Sequence, residues 1–218
     1  LLDPAVQSAL LAPAGGAVEL MVFEWSGPTD QHLLLDWRQL DSVGAIARTA
    51  RQIRQAGRIG GDPSTAIGAA LRFGADQLQR RNCARRVLDL SADGVANTGP
   101  LPQQVRSTPV AEGITVNGLI IADSTAQTGD RHPSSAQALR DYFEANVLHG
   151  PEAFSEVALG YAEFETAMIR KLIRELYGME LVLTPPQPAP PLQTKLSRYS
   201  GSDRSSSVRP GAATLKFR

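Results

Sequence analysis

The chain has 218 residues, 42% of them hydrophobic, and its 22 basic and 22 acidic side chains leave no formal net charge. That length sustains one sizeable core and is short for two, and neutrality gives no reason to propose nucleic acid as the main partner. A single cysteine, Cys83, excludes an intramolecular disulfide and a thiolate zinc cluster, and no apolar run approaches the roughly 20 residues that span a bilayer.

In chain order, Asp3 to Leu11 reads as the late part of a helix, and with Leu1 as first residue the expectation is a chain cut at its N-terminus. Val18 to Trp25 is rich in β-formers, and Ser26-Gly27-Pro28 supplies a turn before a second apolar run, Leu33 to Trp37. Asp41-Ser42 offers a cap for a helix from Val43 to about Gln55, with Ile46, Ala50 and Ile53 at helical spacing. Gly57 to Pro63 is a breaker loop. Thr65 to about Gln79 reads as a helix with Ile67, Ala70, Leu71 and Leu78 on its apolar face, and Arg85 to Ser91 as a strand.

Leu101 to Glu112 has weak helical character interrupted by Pro109, which predicts a short or kinked helix. Gly113 to Ile121 is a strand apolar enough to be covered on both faces, Ala122 to Ser135 a polar loop, and Leu139 to Val147 a helix. Phe154 to Val157 is a short edge strand. Tyr161 to Tyr177 is an amphipathic helix whose stripe, Tyr161, Phe164, Met168, Leu172 and Ile173, is expected in the core, with Arg170, Lys171 and Arg174 on other faces. Strands alternating with helices predict a three-layer, Rossmann-like α/β domain over residues 1–183, with a mainly parallel sheet flanked by helices. Residues 184–218 form a Pro-, Ser- and Arg-rich tail carrying six basic residues against Asp203, and are expected to be disordered.

The residues that point to chemistry end one strand. Val87-Leu88-Asp89-Leu90 runs into Ser91-Ala92-Asp93-Gly94, which places a carboxylate at the carboxyl edge of a sheet, where open α/β folds keep their ligand sites. Upstream, Ser64-Thr65 opens a helix-like run, so a hydroxyl could face the same crevice, and such donors suit a hard divalent cation. The bland readings stand beside this one: Asp93-Gly94 as an ordinary turn, Thr65 as a helix cap with Ser64 or Asp62 as rivals, and Asp89 as a buried structural carboxylate in need of a partner.

Taken in order, Phe23-Glu24-Trp25-Ser26-Gly27-Pro28, Ser64-Thr65-Ala66-Ile67-Gly68, Arg85 to Gly94 with Asn97 and Gly99, and Gly113 to Leu119 resemble the bacterial domain-of-unknown-function family 1194, over about Asp3 to Tyr177. The fold of that family is similar to the von Willebrand factor A domain. The resemblance implies a metal-ion-dependent adhesion site. In such a site an Asp-x-Ser-x-Ser turn after the first strand, a threonine and a later aspartate surround magnesium, or in its place manganese or calcium. Thr65 matches the threonine and Asp93 the late aspartate, with Ser64, Asp89, Ser91 and Gly94 in support. The first motif has no counterpart: Asp89-Leu90-Ser91-Ala92-Asp93 imitates it but lies in the later strand. The central first strand is therefore expected to be missing from the chain, the metal site incomplete, and metal binding weak or absent.

The function so implied is a non-enzymatic module that engages a protein or peptide ligand through an acidic side chain, exported to the periplasm or beyond. Nucleotide hydrolysis by a P-loop is excluded, since Gly57 to Thr65 lacks the lysine, and no Gly-x-Ser-x-Gly elbow is present. The alternatives are a magnesium-dependent phosphatase using Asp89 or Asp93 as nucleophile, though without a convincing lysine partner, and a structural role without metal.

Overall fold

The computed structural model describes residues 1–12, 17–123 and 135–177, together with the backbone of 178–181 and 212–215. Helix α1 (Pro4–Leu10) is capped by Asp3, whose carboxylate accepts from the Ala5 and Val6 amides at 2.9 and 3.1 Å. This stretch is thus a helix with its own N-terminus, not the end of a longer one, because Asp3 satisfies the first-turn donors and Pro4 has none to satisfy.

Strand β1 (Val18–Trp25) pairs antiparallel with β2 (Gln31–Leu40), an edge strand longer than its apolar run because alternate polar side chains face solvent. Helix α2 (Val43–Ala56) starts at Ser42, whose hydroxyl accepts from the Ala45 amide. Helix α3 (Ile67–Gln79) buries Ile67, Ala70, Leu71 and Leu78, and leads to strand β3 (Arg86–Ala92). The predicted proline break divides the next segment into α4 (Pro102–Arg106) and a single 3-10 turn at Pro109–Ala111. All nine residues of β4 (Ile114–Ala122) are buried. The loop expected after it falls largely on residues 124–134, outside the described residues.

Helix α5 (Ala136–Asn146), strand β5 (Ser155–Leu159) and α6 (Phe164–Leu181) complete the alternation. Tyr161 belongs to a 3-10 turn ahead of α6 and is 58% exposed, so it does not join the core stripe. Side chains alternate across the sheet as strand geometry requires. Met21, Phe23, Trp25, Leu88, Leu90, Val116 and Ile120 pack with α3 and α5 on one face, while Leu20, Val22 and Leu119 pack with Val6, Ile46, Met168 and Leu172 on the other.

Strand β6 (Ala212–Leu215) gives the order β2-β1-β6-β3-β4-β5, parallel throughout except for β2. The fold is the layered, mainly parallel α/β architecture that the sequence predicts, with one correction. The central position is filled by four residues of the segment expected to be a disordered tail. Paired on both edges, a strand there satisfies its own backbone and that of its neighbours, which outweighs the weak local preference of Ala-Ala-Thr-Leu. The remainder of the tail, residues 182–211 and 216–218, lies outside the described residues.

Candidate functional site

Because β1, β3, β4 and β5 run parallel within one sheet, the loops after them share its carboxyl edge. Helix α2 returns from β2 to this edge, which brings the 57–66 loop there as well. Thr65 and Asp93, remote in sequence, thus sit on loops of one rim.

Hydrogen bonds join those loops. The Thr65 amide donates to the Asn97 side-chain oxygen at 2.8 Å, and the Asn97 amide donates back to the Thr65 carbonyl at 3.0 Å. The Ala66 amide reaches the Ser26 carbonyl at 2.9 Å, the Asp62 amide donates to the Asp30 carboxylate, and the Ile59 amide to Glu24. Gly68 lets α3 approach the 93–101 loop, since a Cβ built on it would fall 2.0 Å from the Pro100 carbonyl oxygen. The Ala96 amide donates to the Tyr142 hydroxyl, and the Tyr161 hydroxyl donates to the Asp93 carboxylate at 3.0 Å. Asp93 is half-buried and Thr65 buried.

Thr65 does not cap α3. The N-cap is Ala66, without a side-chain hydrogen bond, and Thr65 instead fastens the loop in front of the helix to Asn97. The Ser64 side chain first, and next its amide, which donates to Asp62, hold the exposed Asp62 carboxyl below its ordinary range. Gly94 is not among the positive-φ residues; the left-handed glycine of this loop is Gly99, at φ 74°. Among the described residues, no three His, Cys, Asp or Glu side chains converge in the manner of a metal centre.

Asp89 and Ser91 lie lower on β3, on the face that α6 covers. Ser91 is buried, and its hydroxyl has no hydrogen-bond partner among the described residues. Asp89 is inside the core against the Lys171 ammonium, which also donates to Glu175 at 2.7 Å. Lys171 is fully buried, which corrects its expected place on an outer face of α6. Asn117, opposite Asp89 on β4, extends the cluster by donating to Glu175 and accepting from the Phe154 amide at 3.0 Å.

Burial, and next the Glu175 charge, push the Asp89 carboxyl well above the ordinary range against the pull of Lys171. For Glu175 burial acts upward, but the Lys171 charge and the hydrogen bonds from Asp89, Lys171 and Asn117 outweigh it and hold it low. Lys171 is likewise opposed by burial, yet its two carboxylate neighbours raise it. These opposed directions set one ammonium between two coupled carboxyls, of which Asp89 holds a proton more tightly than Glu175. Two sequence signals pointed here: a carboxylate inside an apolar strand requires a partner, and Lys171 stands four residues before Glu175 on one helix.

A cavity at the opposite edge of the sheet is bounded by Glu19, Gln39, Arg81 and Cys83. Arg81 is engaged by Glu19 at 2.8 Å, and burial pushes the Cys83 thiol up, so this cavity offers no activated nucleophile.

A family model described as a protein of unknown function, DUF1194, matches residues 1–180. The chain belongs to this family. No curated protein matches this DUF1194 chain. Among solved structures it is similar to an aerotolerance-related membrane protein from Bacteroides fragilis, with multiple mutations to serines. The identity is 14% and the TM-score 0.43, over 78% of this chain and 85% of that one. In the DUF1194 chain, no helix among the described residues is long and apolar enough to cross a membrane.

Proposed function

We propose that this DUF1194 domain is a binding module. In this reading the carboxyl edge of the sheet takes a protein or peptide ligand through an acidic side chain, with a divalent cation between the ligand oxygen and the domain. The observation that carries it is the reciprocal Thr65–Asn97 pair, which ties the threonine loop to the loop that bears Asp93. Thr65 and Asp93 would supply two oxygen donors to magnesium, manganese or calcium, cations that ask for about six or more. Two donors alone are too few, and the described residues add no acidic cluster, so the cation fits only weakly without further oxygens from a ligand. An exported location accords with a module of this kind.

The phosphatase reading loses Asp89 on physical grounds. Its carboxyl is enclosed under α6 against Lys171, where a phosphoester cannot reach it and where the lysine serves to compensate charge. Asp93 is the remaining candidate nucleophile on that reading.

Calorimetric titration of the chain with magnesium and manganese tests the proposal. Binding weaker than about 1 mM is expected, strengthened by an acidic peptide and abolished by Asp93→Asn. Tight stoichiometric binding that survives Asp93→Asn would show that the ligands are other residues. Phosphate release from a phosphoester panel, lost in Asp93→Asn with folding intact, would favour the hydrolase.

A further inference from the structure

The 14 residues of α2 include Arg48, Arg51 and Arg54 and no aspartate or glutamate. Residues three apart are neighbours on a helix surface, so the three guanidinium groups form a row along the exposed side, while Ala45, Ile46 and Thr49 face the interior. Arg38 joins the row from β2, against which α2 packs. We propose that this row is a peripheral site for the phosphate headgroups of an anionic lipid bilayer, on a flank of the domain separate from the carboxyl edge.

The charges of the row are not balanced. Among the described residues, no carboxylate lies within ion-pair distance of Arg38, Arg48, Arg51 or Arg54, whereas the exposed Arg58, Arg170 and Arg174 each face a glutamate. The nearby acids have other partners: Asp41 accepts from the Gln39 side chain at 3.3 Å, and Asp36 from the Trp37 backbone amide at 2.8 Å. Like charges at this spacing weaken a helix slightly, so the row works against the element that bears it.

The row also opens on a recess. Arg38, Arg48 and Arg51 line a cavity of about 360 Å³ between β2 and α2, together with Gln39, Gln52 and the buried Thr49. Gly44 leaves room for the Arg48 guanidinium, since a Cβ built there would lie 3.3 Å from its Nη1. Arg38 donates from Nη1 to the Trp37 carbonyl at 3.0 Å, which steadies a group that carries five donors in all. Guanidinium groups, side-chain amides and a hydroxyl are the donors that a phosphate oxyanion asks for.

A lone soluble anion would use the recess and nothing more. The row continues past it to Arg54, roughly 9 Å along the axis from Arg48. Large apolar side chains stand exposed near both ends, Val43 at 58% and Ile59 at 54%. A line of cations with an apolar residue at each end matches a plane of phosphates lying over hydrocarbon.

The test is co-sedimentation of the full chain with vesicles of equal parts phosphatidylglycerol and phosphatidylcholine, against vesicles of phosphatidylcholine alone. Wild type is expected on the anionic vesicles, to be released as salt is raised, and to be absent from the neutral ones. No divalent cation should be needed, and Asp93→Asn should bind as wild type does, so this site and the proposed rim site fail separately. Each arginine at such a surface is worth about fivefold in affinity, so Arg48→Gln, Arg51→Gln and Arg54→Gln together should weaken binding on the order of a hundredfold. Glutamine is a good helix former and the three positions are exposed, so the melting temperature should hold. If the triple variant does not fold, Arg51→Gln alone should still show the fivefold loss. The charge control is Arg72→Gln, Arg80→Gln and Arg140→Gln, three exposed arginines elsewhere, which should leave binding within about fivefold of wild type. Equal losses in the two triple variants would overturn the proposal, as would wild type that ignores anionic vesicles. Displacement of the chain from vesicles by about 1 mM inorganic phosphate would assign the recess to a free anion and overturn the lipid surface.

Discussion

Replacing Lys171 by Met keeps the length of the side chain and removes the one cation of a buried group of three. Lys171 is 0% exposed, and its ammonium contacts both Asp89 and Glu175. Breaking a buried ion pair by removing one partner costs about 3–5 kcal/mol, because the other charge stays buried without compensation. Against a typical domain stability of about 5–15 kcal/mol this is a large fraction. The cost should depend on pH. Glu175 is held low by Lys171 above all, so without the ammonium it is expected to take up a proton well above the usual carboxylate range. Each pH unit through which only the unfolded state is ionised then removes about 1.4 kcal/mol. Urea unfolding at pH 5 and pH 7.5 should show a Lys171→Met deficit larger by about 2–3 kcal/mol at the higher pH. A deficit below about 1 kcal/mol at both pH values would refute the argument.

Asp89→Asn separates the two carboxylates. The Asp89 carboxyl is raised by burial and by the Glu175 charge, so its folded value exceeds its unfolded one. A raised acid contributes full stability below the unfolded value, about 3.9, and loses it as pH climbs toward the folded value. Asparagine has the same shape and nothing to ionise, so the variant should be at least as stable as wild type at pH 7, with a flatter pH profile above 4. A loss of about 3–5 kcal/mol at pH 7 would mean that Asp89 is a paired anion in the native state.

Asn97→Ala removes the acceptor for the Thr65 amide; it should cost about 0.5–1.5 kcal/mol and speed hydrogen exchange at Thr65 selectively. Gly68→Ala places a methyl 2.0 Å from the Pro100 carbonyl oxygen. Overpacking of this kind costs about 1–3 kcal/mol, and since the obstacle is backbone the upper part of that range is expected in thermal unfolding, along with faster exchange in the 93–101 loop.

The fold was legible wherever an apolar period was long. Val18–Trp25 and Ile114–Ala122 are strands close to the limits their residues suggest, and α2 begins at the serine predicted to cap it. The rim followed from the same pattern, since a parallel sheet gathers the ends of its strands on one edge. Three features were not legible, each for a physical reason. Lys171 was assigned to solvent because charge is the default marker of an outer face, and only the spatial neighbour Asp89, 82 residues away, reverses that default. Thr65 was a reasonable helix cap by type, but a longer-range acceptor, Asn97, claims its loop. β6 is four residues of modest β preference inside a polar tail, and its place is set by the unpaired edges of β1 and β3, which no local window contains.

On the proposed reading, the contrast between Asp89 and Asp93 is what would suit this edge to recognition more than turnover. They stand four residues apart on one strand and its loop, yet Asp89 is locked under α6 while Asp93 extends to the rim. The buried group fastens β3 and β4 to α6 directly below the site. Above it, the loop with Asp93 is held from three directions, by the lead-in to α3 through Asn97, by α5 through Tyr142, and by the turn after β5 through Tyr161. A rim fixed in this way would pay little ordering entropy in binding the proposed ligand. Loosening one tether tests the idea without touching a proposed ligand. Tyr142→Phe removes the hydroxyl that receives the Ala96 amide and leaves the ring in place, so stability should change by only about 0.5–1.5 kcal/mol. If preorganisation sets affinity, an acidic peptide with magnesium should bind the variant several-fold more weakly, through a less favourable entropy. Unchanged affinity alongside faster exchange at Ala96 would show that the rim is ordered by the ligand instead.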